Sequence, residues 1–581
     1  MKPTIKRCDS KISDALLNSD IHPLLQRVYA NRNIKQPDEL NYHLDQLLGF
    51  NAFKGMTEAA DVIADAIING KAIMIIGDYD ADGATSTALM IKALRMFGHE
   101  NVSYLVPNRF EYGYGLTPQI VDVALAYKPS LIITVDNGIS SIDGVKHAKE
   151  HGIQVVVTDH HLAAKQLPDA DAIVNPNQAG CAFPSKCIAG VGVAFYTMLA
   201  VRANLRESKR FESNSIPNMA CLLDLVSLGT VADVVALDKN NRILVEHGLQ
   251  RIRDGRCSSG ISALLSVANR NQISCTSMDL AFYVAPRLNA AGRLEDMSQG
   301  IECLISEDHQ QTDSIASQLH SLNTKRRDIE KGMLDDAFEL LEKRLDFNDD
   351  DLPAGLCIYD SSWHQGVIGL LASRIKEKVY RPVIAFADGV DDEIKGSARS
   401  IPGLHIRDVL DAIATENPEL IQKFGGHAMA AGLSIARENY DAFSEKFIAE
   451  VERHLDAGDL EKTILSDGSV SIEEMSLDAA EVLQFGGPWG QHFQEPIFDD
   501  RFEIVNWKII GENHLKLQLR LTAQDPSVQT KNSVIDAIAF NKDESALPRN
   551  SGLIRASYRM SVNEFRNNKT LQLIIDCIEP A

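Results

Sequence analysis

Between about Thr57 and Val174 the chain alternates short, uninterrupted apolar runs with segments of helix length, a pattern that few folds accept. The runs are Ala72–Gly77 (AIMIIG), Val102–Val106, Leu131–Val135 (LIITV), Ile153–Thr158 (IQVVVT) and Ala172–Val174. A strand that is apolar at every position, rather than at every second one, is buried on both faces, as in a parallel sheet covered by helices. A doubly wound, mainly parallel α/β domain is therefore expected over residues 57–310, preceded by an N-terminal segment, 1–56.

Downstream the period changes. Ile315, Leu319, Leu322, Ile329, Met333, Ala337 and Leu340 recur at helical intervals with charges between them, which predicts one long amphipathic helix over Gln311–Leu341. The acidic stretch FNDDDLP then reads as a linker, so 311–350 connects the first lobe to a second α/β unit, 351–458, that opens with the run Gly355–Tyr359. In the tail, 465–581, Leu515, Leu517, Leu519 and Leu521 alternate with His514, Lys516, Gln518 and Arg520, the period of a half-buried antiparallel strand. With Phe502–Trp507, Val534–Phe540, Leu553–Ser561 and Leu571–Ile575 this makes five short strands, the number in an OB-type barrel.

At 581 residues, 45% hydrophobic and 24% charged, the chain has the composition of an ordinary globular protein of about three domains. No run approaches the roughly 20 apolar residues that span a bilayer, and the start MKPTIKRCDSKISD has no apolar signal core; a cytoplasmic protein with no membrane association is expected. The nine cysteines include no C-x-x-C pair and are expected to be reduced and mostly buried. A net charge of −22 is unusual for a partner of nucleic acid, but residues 501–581 carry 11 Lys and Arg against 9 Asp and Glu, so the acid lies upstream.

The acid that matters stands at strand ends. The first apolar run leads into Asp78-Tyr79-Asp80-Ala81-Asp82-Gly83, before a helix expected to resume at Ala88. Three carboxylates within five residues repel one another unless a cation or protons intervene; helix capping explains one aspartate, not three. LIITV ends in Asp136-Asn137-Gly138, and IQVVVT ends in Asp159-His160-His161. Ligands of open α/β sheets collect beyond the carboxyl ends of the strands, so these residues are aimed at one place. Asp233, after the apolar helix expected over Met219–Val226, is a fourth contributor. Many carboxylates, one or two imidazoles and no thiolate suit Mn²⁺ or Mg²⁺, and two ions about 3.5–4 Å apart are plausible.

These segments, DYDADGATS, Asp136-Asn137-Gly138, Asp159-His160-His161 and GTVAD, resemble the four motifs of the DHH phosphoesterase superfamily. Five more, PNRFEYGYGL, APRLNAAGRL, WHQGVIGLLASRI, KGSARS and FGGHAMAAGL, resemble its RecJ family. The resemblance implies Mn²⁺ or Mg²⁺ on Asp80, Asp82, Asp136, His160 and Asp233, with Asp78, Asp159 and His161 adjoining; whether His161 is a ligand or contacts the scissile phosphate stays open. It implies that 351–458 is a DHHA1 domain whose Gly425-Gly426-His427 approaches a phosphate. It also implies a pocket for a 5′-terminal phosphate on Arg109, Arg287, Ser397 and Arg399, with Asn289 and Arg293 from the motif of Arg287. Bidentate arginine suits such an end group.

The implied activity is degradation of single-stranded DNA from a 5′-phosphorylated end, 5′ to 3′, by two-metal hydrolysis in repair and recombination, beside a helicase and a single-strand binding protein. A groove between the two α/β units would exclude duplex. The barrel would extend it, with Lys516, Arg520, Arg555, Arg559 and Lys569 on phosphates and Trp507 or Tyr558 stacking on bases. The alternatives are another DHH phosphoesterase, acting on pyrophosphate, short oligonucleotides or cyclic dinucleotides, and a non-catalytic DHH scaffold that binds single strands. A serine hydrolase is disfavoured, because no Gly-x-Ser-x-Gly stands at a strand end.

Overall fold

The computed structural model describes residues 3–107, 115–211, 215–344, 352–511, 513–522, 534–548, 552–566 and 568–581. The chain divides into two compact units: Ile5–His320 with Leu465–Ala581, and Ser321–Ile464 with Met1–Thr4.

In the first unit the apolar runs form β1 (Ile73–Ile76), β2 (Val102–Leu105), β3 (Leu131–Val135), β4 (Gln154–Thr158) and β5 (Ala172–Val174). All pairs are parallel, in the order β2-β1-β3-β4-β5. Every side chain of β1 and β3 is buried, which is why their sequences show no alternation. The order reverses between β1 and β3, and at such a switch point the connecting helices leave on opposite faces and open a crevice.

Helix α1 (Ala81–Met96) buries 13 of its 16 residues, packing against α2 (Gly190–Glu207) and α3 (Leu223–Ala232). A helix buried on all sides has little freedom to shift, so whatever its N-terminus carries is rigidly placed. It starts seven residues earlier than the sequence suggested, because Asp80 caps it: the carboxylate accepts from the N–H groups of Asp82 and Gly83. The helix expected over Met219–Val226 is instead a 3-10 turn, Met219–Leu222, running into α3, which places Asp233 as the C-cap.

The tail belongs to the same compact unit. Arg7 pairs with Asp499, Arg32 with Asp467, and the Tyr29 hydroxyl donates to the Gly486 carbonyl. The barrel strands are β11 (Phe498–Ile510), β12 (His514–Leu521), β13 (Val534–Ala539), β14 (Leu553–Phe565) and β15 (Asn568–Pro580), closed in the order β11-β12-β13-β15-β14. The leucines of β12 point into the barrel as their alternation predicted.

The chain enters the second unit within α4 (His309–Arg344), the long helix, which extends slightly beyond the expected 311–341. Most of the linker lies outside the described residues. The second unit has a mixed sheet of β6 (Leu356–Tyr359), β7 (Val383–Asp388), β8 (Glu393–Arg399), β9 (Lys423–Gly426) and β10 (Ala430–Ala436), in the order β9-β10-β8-β7-β6. Its core gathers Phe386, Phe443, Phe447 and Ile435. Among the described residues no helix is long and apolar enough to cross a membrane.

Candidate metal centre

Four chain segments meet at the switch point. Asp78, Asp80 and Asp82 follow β1, Asp136 follows β3, His160 and His161 follow β4, and Asp233 ends α3. One ligand atom from each member lies within 4.8 Å of the others in three overlapping groups: Asp136, His160 and His161; Asp82, His160 and Asp233; and Asp78, Asp80 and Asp136. Two groups share Asp136 and two share His160, an arrangement with room for more than one cation.

The electrostatics shows what the cluster needs. Burial, then the charges of Asp82, Asp80, Asp78 and Asp233, push the Asp136 carboxyl well above the ordinary range. Burial and Asp233 lift Asp82 to about 7, although the N–H groups of Gly190 and Val191 donate to it at 2.7 and 2.9 Å. Burial and Asp80 lift Asp233 to about 8. Burial and the neighbouring His161 charge lower His160, leaving it neutral near pH 7. Its Nε2 is buried with no hydrogen-bond partner, 3.0 Å from Asp136 Oδ1 and 3.5 Å from Asp233 Oδ2. A neutral imidazole carries one proton: on Nε2 it donates to Asp136, and on Nδ1 it leaves the Nε2 lone pair facing carboxylate oxygens, an arrangement that a metal ion between them satisfies. The donor set fits hard divalent ions such as Mn²⁺ or Mg²⁺.

Asp159, expected among the residues at the metal site, has both carboxylate oxygens engaged by hydrogen bonds. Its Oδ1 accepts from the N–H groups of His160 and His161 and pairs with His161 Nδ1 at 2.7 Å, while Oδ2 accepts from the Ile139 N–H. With both oxygens so engaged it joins none of the three groups. Burial alone would raise this carboxyl, but His161 outweighs burial and holds it at about 2. In return, Asp159 overcomes the effect of burial on His161 and raises it to about 9. The pair is a cationic imidazole on a buried carboxylate, and Asp159 positions it.

Asn289, expected to touch substrate, also does something else: its Oδ1 accepts from the Ala81 N–H at 2.7 Å and so braces the aspartate turn. Arg287 is buried, its guanidinium on His320 Nδ1 and the Tyr283 carbonyl. Arg293 is half-buried near the end of the same helix, Ala285–Leu294. Arg109 lies outside the described residues.

In the second unit Arg399 donates to the Ser397 hydroxyl at 3.0 Å on β8. Gly425 and Gly426 end β9, and the His427 N–H closes the turn on the Ala430 carbonyl. A Cβ at Gly425 would meet nothing within 4 Å, so that stretch of backbone is open to approach.

In the barrel most of the expected DNA contacts are already occupied. Tyr558 is fully buried with its hydroxyl on Asp500, so it offers no stacking face. Arg555 pairs with the buried Asp499, and Arg559 pairs with Glu495 and Asp576. Lys516, Arg520 and Lys569 face Asp536, Glu503 and Glu481. Trp507 is 40% exposed and lines a cleft with Val505, Leu547 and Pro548.

Three glycines were not singled out as site residues, although Gly229 opens GTVAD and Gly369 lies within WHQGVIGLLASRI. A Cβ at Gly190 would lie 2.6 Å from Asp136 Oδ1, and one at Gly229 2.8 Å from Asp82 Oδ1; only glycine lets α2 and α3 come so close to the carboxylates. Gly369 plays the same part in the second unit, where a Cβ would collide with Arg399 and Ser397. For Gly190 the signal was GVG at the start of an apolar helix, which without coordinates is ordinary helix packing.

Family models match along the chain: DHH family, N-terminal domain, over 72–230; DHHA1 domain over 353–453; and RecJ OB domain over 466–576. The single-stranded-DNA-specific exonuclease RecJ of Salmonella typhimurium is 49% identical over 569 residues, 97% of each chain. The structure of RecJ in complex with Mn²⁺ from Thermus thermophilus superposes with a TM-score of 0.78 at 27% identity, covering 98% of this chain and 77% of that one. The Mg²⁺ complex from the same source gives 0.73 at 25%, covering 98% and 76%. A parallel sheet with acid and histidine gathered at its switch point, matched by the DHH model, defines a DHH-family protein. Within that class the extent of identity is decisive, and the chain belongs to the RecJ family.

Proposed function

We propose that this chain is a metal-dependent exonuclease that removes nucleotides from single-stranded DNA, starting at a 5′-phosphorylated end and moving 3′. The observation that carries the reading is the convergence of Asp82, Asp136 and Asp233 on the neutral His160, with Asp78 and Asp80 grouped on Asp136, all at ligand spacing, and with the carboxyls of Asp82, Asp136 and Asp233 raised by burial and mutual repulsion that a cation would relieve. Mn²⁺ or Mg²⁺ held there supplies Lewis acidity, neutralising charge on the non-bridging oxygens and acidifying a water.

The chain's own side chains do the rest. Asp82, fixed by the N-terminus of α2, and Asp136, pressed against Gly190, hold their oxygens without reorganisation. His161, oriented by the Asp159 carboxylate that favours its protonated form, can donate to a phosphate oxygen or protonate the leaving group. In the second unit, Ser397 and Arg399 with the open backbone at Gly425 supply donors suited to a terminal phosphate. The full set of three family domains favours a polymer over pyrophosphate or a dinucleotide. A cytoplasmic location and work beside a helicase and single-strand binding protein complete the reading.

The test is digestion of a 5′-phosphorylated, 3′-labelled oligonucleotide by the full chain with Mn²⁺, compared with pyrophosphate and dinucleotides. Stepwise shortening of the labelled strand that chelation abolishes is expected. Turnover of the small substrates alone would overturn the assignment, and binding without cleavage would support the scaffold alternative.

A further inference from the structure

Helix α3 ends at Ala232, and Asp233 follows with φ −77°. The next residue, Val234, has φ +60°. A left-handed residue just past a helix is usually glycine, because in any L-residue the Cβ crowds the backbone, and a β-branched side chain does so most. Eleven non-glycine residues among those described have positive φ, and Val234 is the only β-branched one. The strain is not offset inside the fold, since Val234 is 64% exposed. Its position is distinctive too. Asp233 Oδ2 lies 3.5 Å from His160 Nε2, and consecutive Cα atoms are about 3.8 Å apart, so Val234 sits at the rim of the metal cluster. Strained residues concentrate where a site binds something, and an exposed apolar group beside buried carboxylates has no partner to gain from the cluster itself.

We propose that Val234 is a substrate-contacting residue, packing its isopropyl group against the apolar sugar and base surface of the nucleotide that flanks the scissile phosphate. This rests on the nuclease reading above and adds a specificity-determining contact to it. Phosphates are held by charge; a single strand also presents base faces and the 2′ side of deoxyribose, and a rigid aliphatic group is complementary to those. Because the contact would be made equally before and during reaction, it contributes to binding and not to the chemical step.

Three variants of the full chain separate this from a structural role. Val234→Gly removes both side chain and strain; Val234→Ala removes the side chain but keeps most of the strain; Val234→Ile keeps the contact. With Mn²⁺ and a 5′-phosphorylated oligonucleotide, KM should rise roughly three- to tenfold for Gly and Ala with kcat within about twofold, and stay near wild type for Ile. The Gly variant should melt above wild type, and Mn²⁺ affinity should be unchanged in all three. Anisotropy of the same oligonucleotide in Ca²⁺ should show the matching loss of affinity without requiring cleavage. Unchanged KM and Kd in the Gly and Ala variants would overturn the proposal. So would earlier melting of Val234→Gly, which would show that the side chain packs in the fold, or a fall in Mn²⁺ affinity, which would show that it acts through Asp233. A strand left uncut by the wild-type protein would instead refute the nuclease reading, while the Ca²⁺ binding comparison would still decide this one.

Discussion

Asp159 and His161 form a division of labour that a motif cannot express: adjacent acid and imidazole, one fixing the other rather than both binding metal. Replacing Asp159 with Asn should therefore reduce kcat by about 10–100-fold, the usual cost of losing an orienting partner. The activity lost at high pH should be lost earlier, because without the Asp159 carboxylate His161 gives up its proton at lower pH, and Mn²⁺ affinity should change little. An equal loss of Mn²⁺ affinity, read by calorimetry, would make Asp159 a ligand after all. Asp82 and Asp233, raised to about 7 and about 8, set the pH dependence of the metal itself. Both bind more protons folded than unfolded, so without metal their contribution to stability is full below pH 4 and is lost as pH rises through 7 to 8. The same protons must leave when a cation enters, so Mn²⁺ affinity should climb between pH 6 and 8 with proton release, and affinity that is flat with pH would contradict these shifts. The sequence made the ligand types legible because several carboxylates so close together demand a counter-charge. It could not separate Asp159 from its neighbours, because that distinction lies in which N–H groups the oxygens meet.

At the scale of elements, the sheet was legible because burial on both faces leaves an unbroken apolar run, and the barrel because β12 alternates cleanly. The start of α1 was misplaced by seven residues because Asp80, Ala81, Asp82 and Gly83 look like a loop until Asp80 is seen to cap them. The glycine contacts were invisible for a related reason, since they depend on how closely α2 approaches the end of β3 and α3 approaches α1. Gly190→Ala should force Asp136 or α2 to move and weaken Mn²⁺ binding at least about tenfold. By contrast, Gly332→Ala, on the long helix with nothing within 4 Å, should stabilise the chain by about 0.5–1 kcal/mol and leave Mn²⁺ binding alone. Similar Mn²⁺ titrations for the two would remove the case for close approach. In the barrel, Tyr558→Phe strips a donor from buried Asp500 and should cost about 1–3 kcal/mol in thermal unfolding without weakening DNA binding. Trp507→Ala should do the reverse. Lost DNA affinity in the Tyr558 variant at unchanged stability would restore the stacking role expected for it.

Over the whole molecule, the charge of −22 and the proposed substrate fit together once the acid is located. Part of it is committed to the cluster, and in the tail it is paired with the arginines expected to contact DNA. What the chain as a whole is proposed to do depends on one convergence, and diffraction can test it directly. Crystals of the full chain grown with Mn²⁺ and measured at the manganese edge should show two anomalous peaks about 3.5–4 Å apart, coordinated between them by Asp82, Asp136, His160 and Asp233. Peaks only at surface carboxylates, or none with those four side chains in place, would contradict the account.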